Sequence, residues 1–382
     1  MDVRLPRIKR AHSPTRLPSN RIRIGSVQYG VGAEIEDSEE GEIWALLRLM
    51  DGTRTPAMIV DQLLAERPDL DRESVVDAAE MLFSSGYIED AAAEVDPRLE
   101  GDEIERYRRN ENYFSWVDTT PRSHKFELQG RLKASSIAVL GLGGSGSSVA
   151  VSLVAAGVGH IRCVDFDVVE VSNLSRQLLY TEGDVGRSKV RTAVAHLRRL
   201  NHHVRVEGVE SRIGSVTDAV RCLDGVDFAL LCADKPNPEI QYWINDAAIA
   251  TKTPWSICLY AGPMLASGIF VPDVTPCYRC LLATAPMAVA SDTTPIDVAS
   301  HDEDEENSVI APSAALTGHF GALEAIYFLT GLEPQTVGRV FHLNLLAYDH
   351  QYYVEAEFSP DCASCGGLPR TLAEPAAQRA TA

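Results

Sequence analysis

The segment from residue 136 to residue 165 constrains the fold more than any other part of the chain. Its letters, SIAVLGLGGSGSSVAVSLVAAGVGHIRCVD, predict a strand over 137–140, a helix from about 145 to 156 and a second strand over 161–165. The turn after the first strand reads Gly141-x-Gly143-x-x-Gly146. A strand, a glycine turn, a helix and a further strand are typical of doubly wound sheets. The sequence therefore predicts an α/β fold with a mostly parallel, Rossmann-like sheet flanked by helices.

This glycine turn also predicts a nucleotide site. Glycines without a Cβ atom let backbone N–H groups approach a phosphate at the start of a helix. Asp165 ends the second strand, where a carboxylate can hold ribose hydroxyls. A NAD-dependent dehydrogenase would share these features. The polar residues that follow, Asn173, Arg176, Gln177 and Lys189, suit a triphosphate better, because its charge must be neutralised. We therefore expect ATP.

Two Cys-x-x-Cys hooks lie far apart in the second half of the chain: CYRC at 277–280 and CASC at 362–365. Two such hooks can supply the four thiolates of a tetrahedral structural zinc site. A redox pair and a site without metal are the alternatives, but neither hook opens a helix after a strand as in thioredoxin-like proteins. We expect zinc, held by Cys277, Cys280, Cys362 and Cys365. The other four cysteines, Cys163, Cys222, Cys232 and Cys258, are expected to be buried core residues.

Length and charge limit the classes of partner. A chain of 382 residues predicts two domains. The net charge of −19 argues against nucleic acid, which needs a basic footprint. Basic residues concentrate near the N-terminus without an apolar stretch, so we expect a flexible basic arm over 1–21 and no signal peptide. We expect a cytoplasmic protein with reduced thiols and no membrane partner.

Residues 22–91 predict a small winged-helix-like α+β domain, with a short β segment followed by three helices. This order resembles the PqqD-like winged-helix modules that bind leader peptides of ribosomally synthesised, modified peptides. A structural or oligomer-forming appendage is an alternative, and so is a DNA binder, although the third helix is acidic. An acidic linker is expected over 92–104, and a disordered tail over 368–382.

From about residue 104 to residue 367 the chain resembles the ThiF/MoeB/MccB branch of the ubiquitin-activating-like adenylyltransferases. The matching motifs, in order, are RYRRN, GLGGSG, DFDVVEVSNLSRQ, VGRSKV, LLCADKP, CYRC and CASC. The resemblance implies an adenylation domain over 105–367. It also implies a homodimer that binds Mg-ATP and adenylates the C-terminal carboxylate of a peptide or a small carrier protein.

The resemblance further implies roles for single residues. Asp165 would hold the ribose, Asp234 would hold Mg²⁺, and Arg109 would be inserted into the active site of the partner subunit. Each of three residues has an alternative. Arg106 or Arg108 could take the role of Arg109, and Asp234 could instead cap the helix near Pro238. Lys189 could be an ordinary surface lysine. The implied catalytic residues are Arg109, Arg176, Lys189 and Asp234. The implied nucleotide contacts are Gly141, Gly143, Gly144, Gly146, Asp165, Asp167, Asn173, Arg176, Gln177, Lys189 and Asp234.

The chain departs from relatives that pass the activated carrier to an enzyme thiol. Those relatives place a cysteine shortly before a helix segment that here reads VIAPSAALTG, and residues 302–318 contain none. We therefore expect no enzyme thioester. The hypothesis is adenylation of a precursor peptide, with activation of a ubiquitin-like sulfur carrier and a non-catalytic leader-binding scaffold as alternatives. The acidic stretch HDEDEEN at 301–307 is expected to be a solvated loop, or a gate over the substrate channel.

Overall fold

The computed structural model of the chain describes residues 3–26, 30–289 and 308–367. The chain divides into two units, Met1–Gly130 and Arg131–Ala382, and each is described by itself. The acidic stretch 301–307 and the tail 368–382, for which we made predictions, lie outside the described residues.

The first unit combines short strands with a three-helix core. Thr55 and Asp71 accept hydrogen bonds from the N–H groups of Met58 and Ser74, which caps the starts of the second and third helices. The strands are β1 Pro6–Ile8, β2 Thr15–Leu17, β3 Arg21–Ser26, β4 Val31–Glu36 and β5 Ile88–Asp90. The helices are α1 Glu42–Leu49, α2 Pro56–Glu66, α3 Arg72–Ser84, α4 Glu103–Arg106 and α5 Arg108–Val117, and α6 Glu127–Ala134 follows them across the unit boundary.

Three of these strands form one sheet in the order β2-β3-β4, and Ile22 and Ile24 of β3 are fully buried. Both isoleucines belong to one apolar cluster with residues of α1, α2 and α3, among them Leu46 and Leu63. A three-helix unit with a β hairpin matches the α+β pattern that the sequence predicts for 22–91. Its similarity to PqqD-like modules stays a prediction.

The expected flexible arm over 1–21 is wrong for the residues that the structure describes. Strand β1 pairs with β5 in antiparallel register, and β2 pairs with β3. Two basic side chains of this segment meet acidic partners: Arg4 pairs with Asp90 at 3.1 Å and Arg7 with Glu89 at 2.6 Å. The partners come about eighty residues later in the chain, so no local sequence pattern reports them.

The first unit also extends past the linker expected over 92–104. Asp96 is buried, and its backbone N–H donates to the carbonyl of Lys125. Leu99, Tyr107 and Phe126 share a small apolar cluster. These contacts tie residues 94–126 into the first unit, so the observed boundary lies at Gly130 instead of within 92–104.

The second unit is an eight-stranded sheet flanked by helices, as the sequence predicts. The strands have the order β13-β12-β11-β10-β9-β6-β7-β8. Pairing is parallel from β8 to β10 and antiparallel from β10 to β13. The strands are β6 Ser136–Leu140, β7 His160–Asp165, β8 Arg205–Glu210, β9 Phe228–Leu231, β10 Trp255–Ala261, β11 Met264–Phe270, β12 Arg339–Asn344 and β13 Gln351–Glu355. The helices are α7 Gly144–Ala156, α8 Lys189–Leu200, α9 Val216–Leu223, α10 Glu239–Thr251, α11 Tyr278–Val289 and α12 Ala311–Thr330.

Two apolar clusters cover the two faces of this sheet, because the central parallel strands are buried on both sides. Val139 and Ile161 belong to the cluster that includes α7, α8 and α12 residues, whereas Leu140 and Val164 belong to the cluster with α9 and α10 residues. Among the described residues, no helix is both long and apolar enough to cross a bilayer.

Candidate active site

A cavity of about 320 Å³ lies at the carboxyl ends of the parallel strands in the second unit. Loops that follow β6, β7 and β9 and the end of β10 supply its walls, which is where doubly wound sheets bind their ligands. The structure brings eight of the predicted site residues together on these walls. They are Gly143, Asp165, Asp167, Asn173, Arg176, Gln177, Lys189 and Asp234.

Asp165 fixes the glycine turn from the end of β7. One carboxylate oxygen accepts from the N–H of Leu142 at 2.7 Å, and the other accepts from the N–H groups of Phe166 and Asp167 at 2.7 and 2.8 Å. On the other side of the turn, the Tyr180 hydroxyl donates to the carbonyl of Leu142 at 3.1 Å. The carboxylate that we expect at the ribose therefore also holds the turn in shape.

Lys189 reaches the cavity from the first turn of α8. Only 6% of the residue is exposed, and its ammonium lies 3.1 Å from the carboxylate of Asp167, which is half exposed. The backbone N–H of Lys189 also donates to the carbonyl of Asp167. The pair places one cation and one anion side by side on the wall, and an incoming phosphate would compete with Asp167 for the ammonium. The alternative of a surface lysine is excluded by this burial.

A short 3-10 helix, Val171–Ser175, presents the next polar residues. Asn173 closes its first turn, because its side chain accepts from the N–H of Glu170 at 3.2 Å. Gln177 is 3% exposed, and its Oε1 atom is buried without a hydrogen-bond partner among the described residues. A buried polar atom without a partner is costly. Because Gln177 lies on the cavity wall, a polar ligand in the cavity would give its Oε1 atom a hydrogen-bond partner.

Three of the four predicted glycines show two different purposes. Gly143 lines the cavity, and the space where its Cβ would stand is open except for Gln177 at 3.8 Å. Gly141 has φ +93°, and a Cβ there would lie 2.8 Å from the backbone nitrogen of Ala233. At Gly146 a Cβ would lie 1.9 Å from the carbonyl oxygen of Gly141. These two glycines are therefore required by backbone packing.

Asp234 lies on the loop after β9 and is exposed at the cavity. The capping residue of α10 is Pro238, so Asp234 is not the N-cap of that helix. A single exposed carboxylate fits a magnesium ion that takes its remaining ligands from water and substrate phosphates. Arg109 lies in the first unit, where it is exposed on α5. Its neighbour Arg108 pairs with Glu105 at 3.1 Å.

The cavity is acidic for a triphosphate site. Its walls carry four carboxylates, of Asp165, Asp167, Glu170 and Asp234, and two cationic side chains, of Arg176 and Lys189. Because one of the two cations already faces Asp167, bound phosphates need further positive charge. Divalent cations, or an arginine from a second chain, would supply it.

Sequence reasoning missed several wall residues, namely Ser145, Val168, Glu170, Cys232, Cys258, Leu259 and Tyr260. Cys232 and Cys258 were expected only as core residues, and Cys258 is indeed buried. Tyr260 is the most polar of the wall residues from β10. In the sheet, β9 separates β10 from the glycine-turn strand β6, so no local sequence signal places Tyr260 at this cavity.

The four hook cysteines converge on one point. Cys277 and Cys362 have Sγ atoms 3.6 Å apart, Cys280 and Cys365 have them 3.5 Å apart, and all four Sγ atoms lie within 4.8 Å of one another. A tetrahedron of sulfurs about 2.3 Å from zinc has edges of about 3.8 Å. The contacts between hooks are shorter than the 3.9 Å within the first hook, so the geometry fits one shared ion better than separate redox pairs.

The electrostatics of two of these thiols differ sharply. Burial raises the pKa of Cys277 to about 11. Burial also acts to raise the pKa of Cys362, but the backbone N–H groups of Cys365 and Ser364 outweigh it and lower that pKa to about 7. A metal ion would need all four as thiolates, and its binding would release their protons.

Comparisons with known proteins found relatives that are similar in sequence. The sulfur carrier protein adenylyltransferase of Thermus thermophilus is 34% identical over 64% of this chain and 86% of its own length. The adenylyltransferase and sulfurtransferase UBA4 of Lodderomyces elongisporus is 31% identical over 66% of this chain, and the chain spans about half (54%) of that relative's length.

Crystal structures of E. coli MccB share the fold. One superposes with a TM-score of 0.75 at 20% identity, over 97% of this chain and 98% of MccB. Complexes of MccB with ATP and with MccA give TM-scores of 0.72 and 0.74, at 20% and 21% identity, over 94% of this chain and 99% of MccB.

Residues 119–364 match the ThiF family, and they contain the glycine turn, the cavity and every hook cysteine except Cys365. The chain therefore belongs to the ThiF family.

Proposed function

We propose that this protein is an ATP- and magnesium-dependent adenylyltransferase that activates the C-terminal carboxylate of a ribosomally made precursor peptide. The observation that carries the proposal is the cavity itself, which gathers Arg176, Lys189 and Asp234 beside the glycine turn. An enzyme that had lost its chemistry and kept only peptide binding would have no reason to retain these three side chains together. This supports catalysis over the scaffold alternative.

The residues on the cavity wall suggest a division of roles. The glycine turn and the N-terminus of α7 would receive phosphate oxygens, and Asp165 would receive the ribose. Arg176 and Lys189 would stabilise charge that develops at the α-phosphorus when the carboxylate attacks and pyrophosphate leaves. Magnesium held by Asp234 would neutralise phosphate charge and align the leaving group. The product is an acyl-adenylate, a mixed anhydride that a second nucleophile consumes.

A peptide substrate is supported by the first unit and by the likeness to MccB. The fold similarity extends over 97% of the chain, so it includes the first unit. A leader peptide held there would raise the effective concentration of its own C-terminus at the cavity. We propose that this unit binds the leader, and that zinc at the four cysteines is structural.

Activation of a sulfur carrier protein is the second candidate function. It is favoured by the 34% identity to the Thermus thermophilus relative, which is named for that activity. Two substrates separate the candidates: a short precursor peptide from a neighbouring gene, and a carrier protein that ends in Gly-Gly.

The test is ATP–pyrophosphate exchange with each substrate. We expect exchange with the peptide, and a lower KM for the peptide with its leader than for its C-terminal part alone. Exchange with the carrier alone would favour the second candidate. If the protein binds the leader but supports exchange with neither substrate, the non-catalytic scaffold would be favoured and the proposal overturned.

A further inference from the structure

Tyr260 lies on β10 at the boundary between the parallel and antiparallel parts of the sheet. It lines the cavity and is half-buried. Its cross-strand neighbour on β11 is Leu265, and Cys258, two residues earlier on the same face, packs against Gly321 of α12. Pairing with β11 therefore fixes the backbone that carries the Tyr260 side chain.

The hydroxyl stands directly over the glycine turn. A Cβ atom built on Gly144 would lie 3.3 Å from the Tyr260 oxygen and 3.7 Å from Cγ of Arg176. Tyr260 and Arg176 thus border the same point at the N-terminus of α7, where phosphate oxygens are expected. The Arg176 side chain also lies close enough to the hydroxyl to influence its pKa. Burial raises the pKa of Tyr260, and Arg176 only partly opposes this, so the phenol stays protonated at neutral pH.

Arg176 is restrained from a second direction. Its Nη1 donates to the carbonyl of Ser172 at 3.1 Å, on the 3-10 helix. A guanidinium held by this carbonyl, with the phenol oxygen bordering the same point at Gly144, has less rotational freedom before the ligand arrives. Preorganised donors stabilise phosphate charge more than mobile ones, because they lose less conformational entropy when the ligand binds.

We propose that Tyr260 is a positioning residue that holds the Arg176 guanidinium toward the phosphates of Mg-ATP. The phenol oxygen accepts from Arg176, and its own O–H remains available to a phosphate or to the nearby Asp234. The inference rests on the proposed use of this cavity for Mg-ATP. It does not depend on which acyl substrate the enzyme activates.

The test is a double-mutant cycle on Mg-ATP affinity, measured by calorimetry on the full chain without an acyl substrate. The variants are Tyr260→Phe, Arg176→Ala and the double variant. Tyr260→Phe keeps the ring and removes only the hydroxyl. We expect it to weaken Mg-ATP binding about tenfold in the wild-type background and less than twofold in the Arg176→Ala background. Tyr353→Phe, which removes a hydroxyl from β13, is the matched control and should bind as wild type does.

Equal affinity of Tyr260→Phe and the wild type would overturn the proposal. So would an equal loss in both backgrounds, because the hydroxyl would then act independently of Arg176. Unfolding temperatures within about 2 °C of wild type exclude a general effect on folding. If Mg-ATP binds as expected but no peptide or carrier supports exchange, the proposed function fails while this inference stands.

Discussion

At the scale of single residues, Asp234 offers the clearest test of metal-assisted chemistry. It is one of three exposed carboxylates on the wall, with Asp167 and Glu170, and it lies beyond the end of β9. Asp234→Asn keeps the size of the side chain and removes the charge that magnesium needs. We expect exchange activity to fall by about two orders of magnitude or more, because magnesium would no longer neutralise the charge on the departing pyrophosphate. ATP–pyrophosphate exchange at saturating magnesium measures this.

The control for Asp234 is Glu239→Gln, which removes an exposed carboxylate from the first turn of α10. It should exchange at the wild-type rate. Nucleotide affinity in the presence of a chelator should be the same for Asp234→Asn and the wild type. An Asp234→Asn variant with wild-type exchange would show that the carboxylate holds no catalytic metal.

The sequence could predict most cavity residues, because they follow directly from the ends of β6, β7 and β9. Asp165 and Gly143 are defined by a local strand-turn-helix pattern, and both lie on the wall. Tyr260 could not be found in this way, since its place over Gly144 depends on how β10 packs beside β9. Gly141 and Gly146 match the nucleotide motif, but glycine is required at these two positions because the backbone packs closely there.

At the scale of elements, the cysteine hooks join the start of α11 to the segment after β13. If they hold zinc, Cys365→Ser removes one ligand and the link between the two segments. We expect the variant to lose its zinc, against one ion per wild-type chain by elemental analysis. We also expect its unfolding temperature to fall by about 5–10 °C, since metal binding stabilises only the folded state.

Cys222→Ala is the matched control for this change, because it removes a thiol from α9, outside the hooks. That variant should keep one zinc per chain, even if loss of its buried sulfur costs some stability. Wild-type protein without zinc, purified under reducing conditions, would contradict the prediction and favour the redox alternative.

Elements were predictable where their signals are local. The strand, turn and helix over 136–156 have the expected bounds to within one residue, because glycine and apolar periodicity set them. The first strands were not predicted, because β1 forms only by pairing with β5, which comes much later in the chain. Arg21 is the last residue of the predicted basic arm, but it binds Glu34 of the adjacent strand β4, as does Arg23. Charge composition alone could not show this neutralisation.

At the scale of the whole molecule, the acidic cavity raises the question of where further positive charge comes from. The walls offer four carboxylates against two cationic side chains, and the described wall residues all belong to the second unit. The resemblance to the family implies a homodimer in which Arg109 enters the partner's site. Exposed Leu316 and Leu323 on α12 show that apolar surface is available on the second unit for a contact between copies.

A subunit-mixing experiment tests this proposed sharing of sites. Arg109→Ala and Asp234→Asn should each be inactive alone, because every site of either homodimer lacks one group. In a mixed dimer, one site combines an intact Asp234 with an intact Arg109, and the other lacks both. After refolding at equal amounts, half of the dimers are mixed, so exchange should recover to about one quarter of wild type. Arg108→Ala in place of Arg109→Ala is the control, and it should be active without mixing. No recovery on mixing would mean that each chain completes its own site, and full activity of Arg109→Ala alone would mean that Arg109 is not needed for exchange.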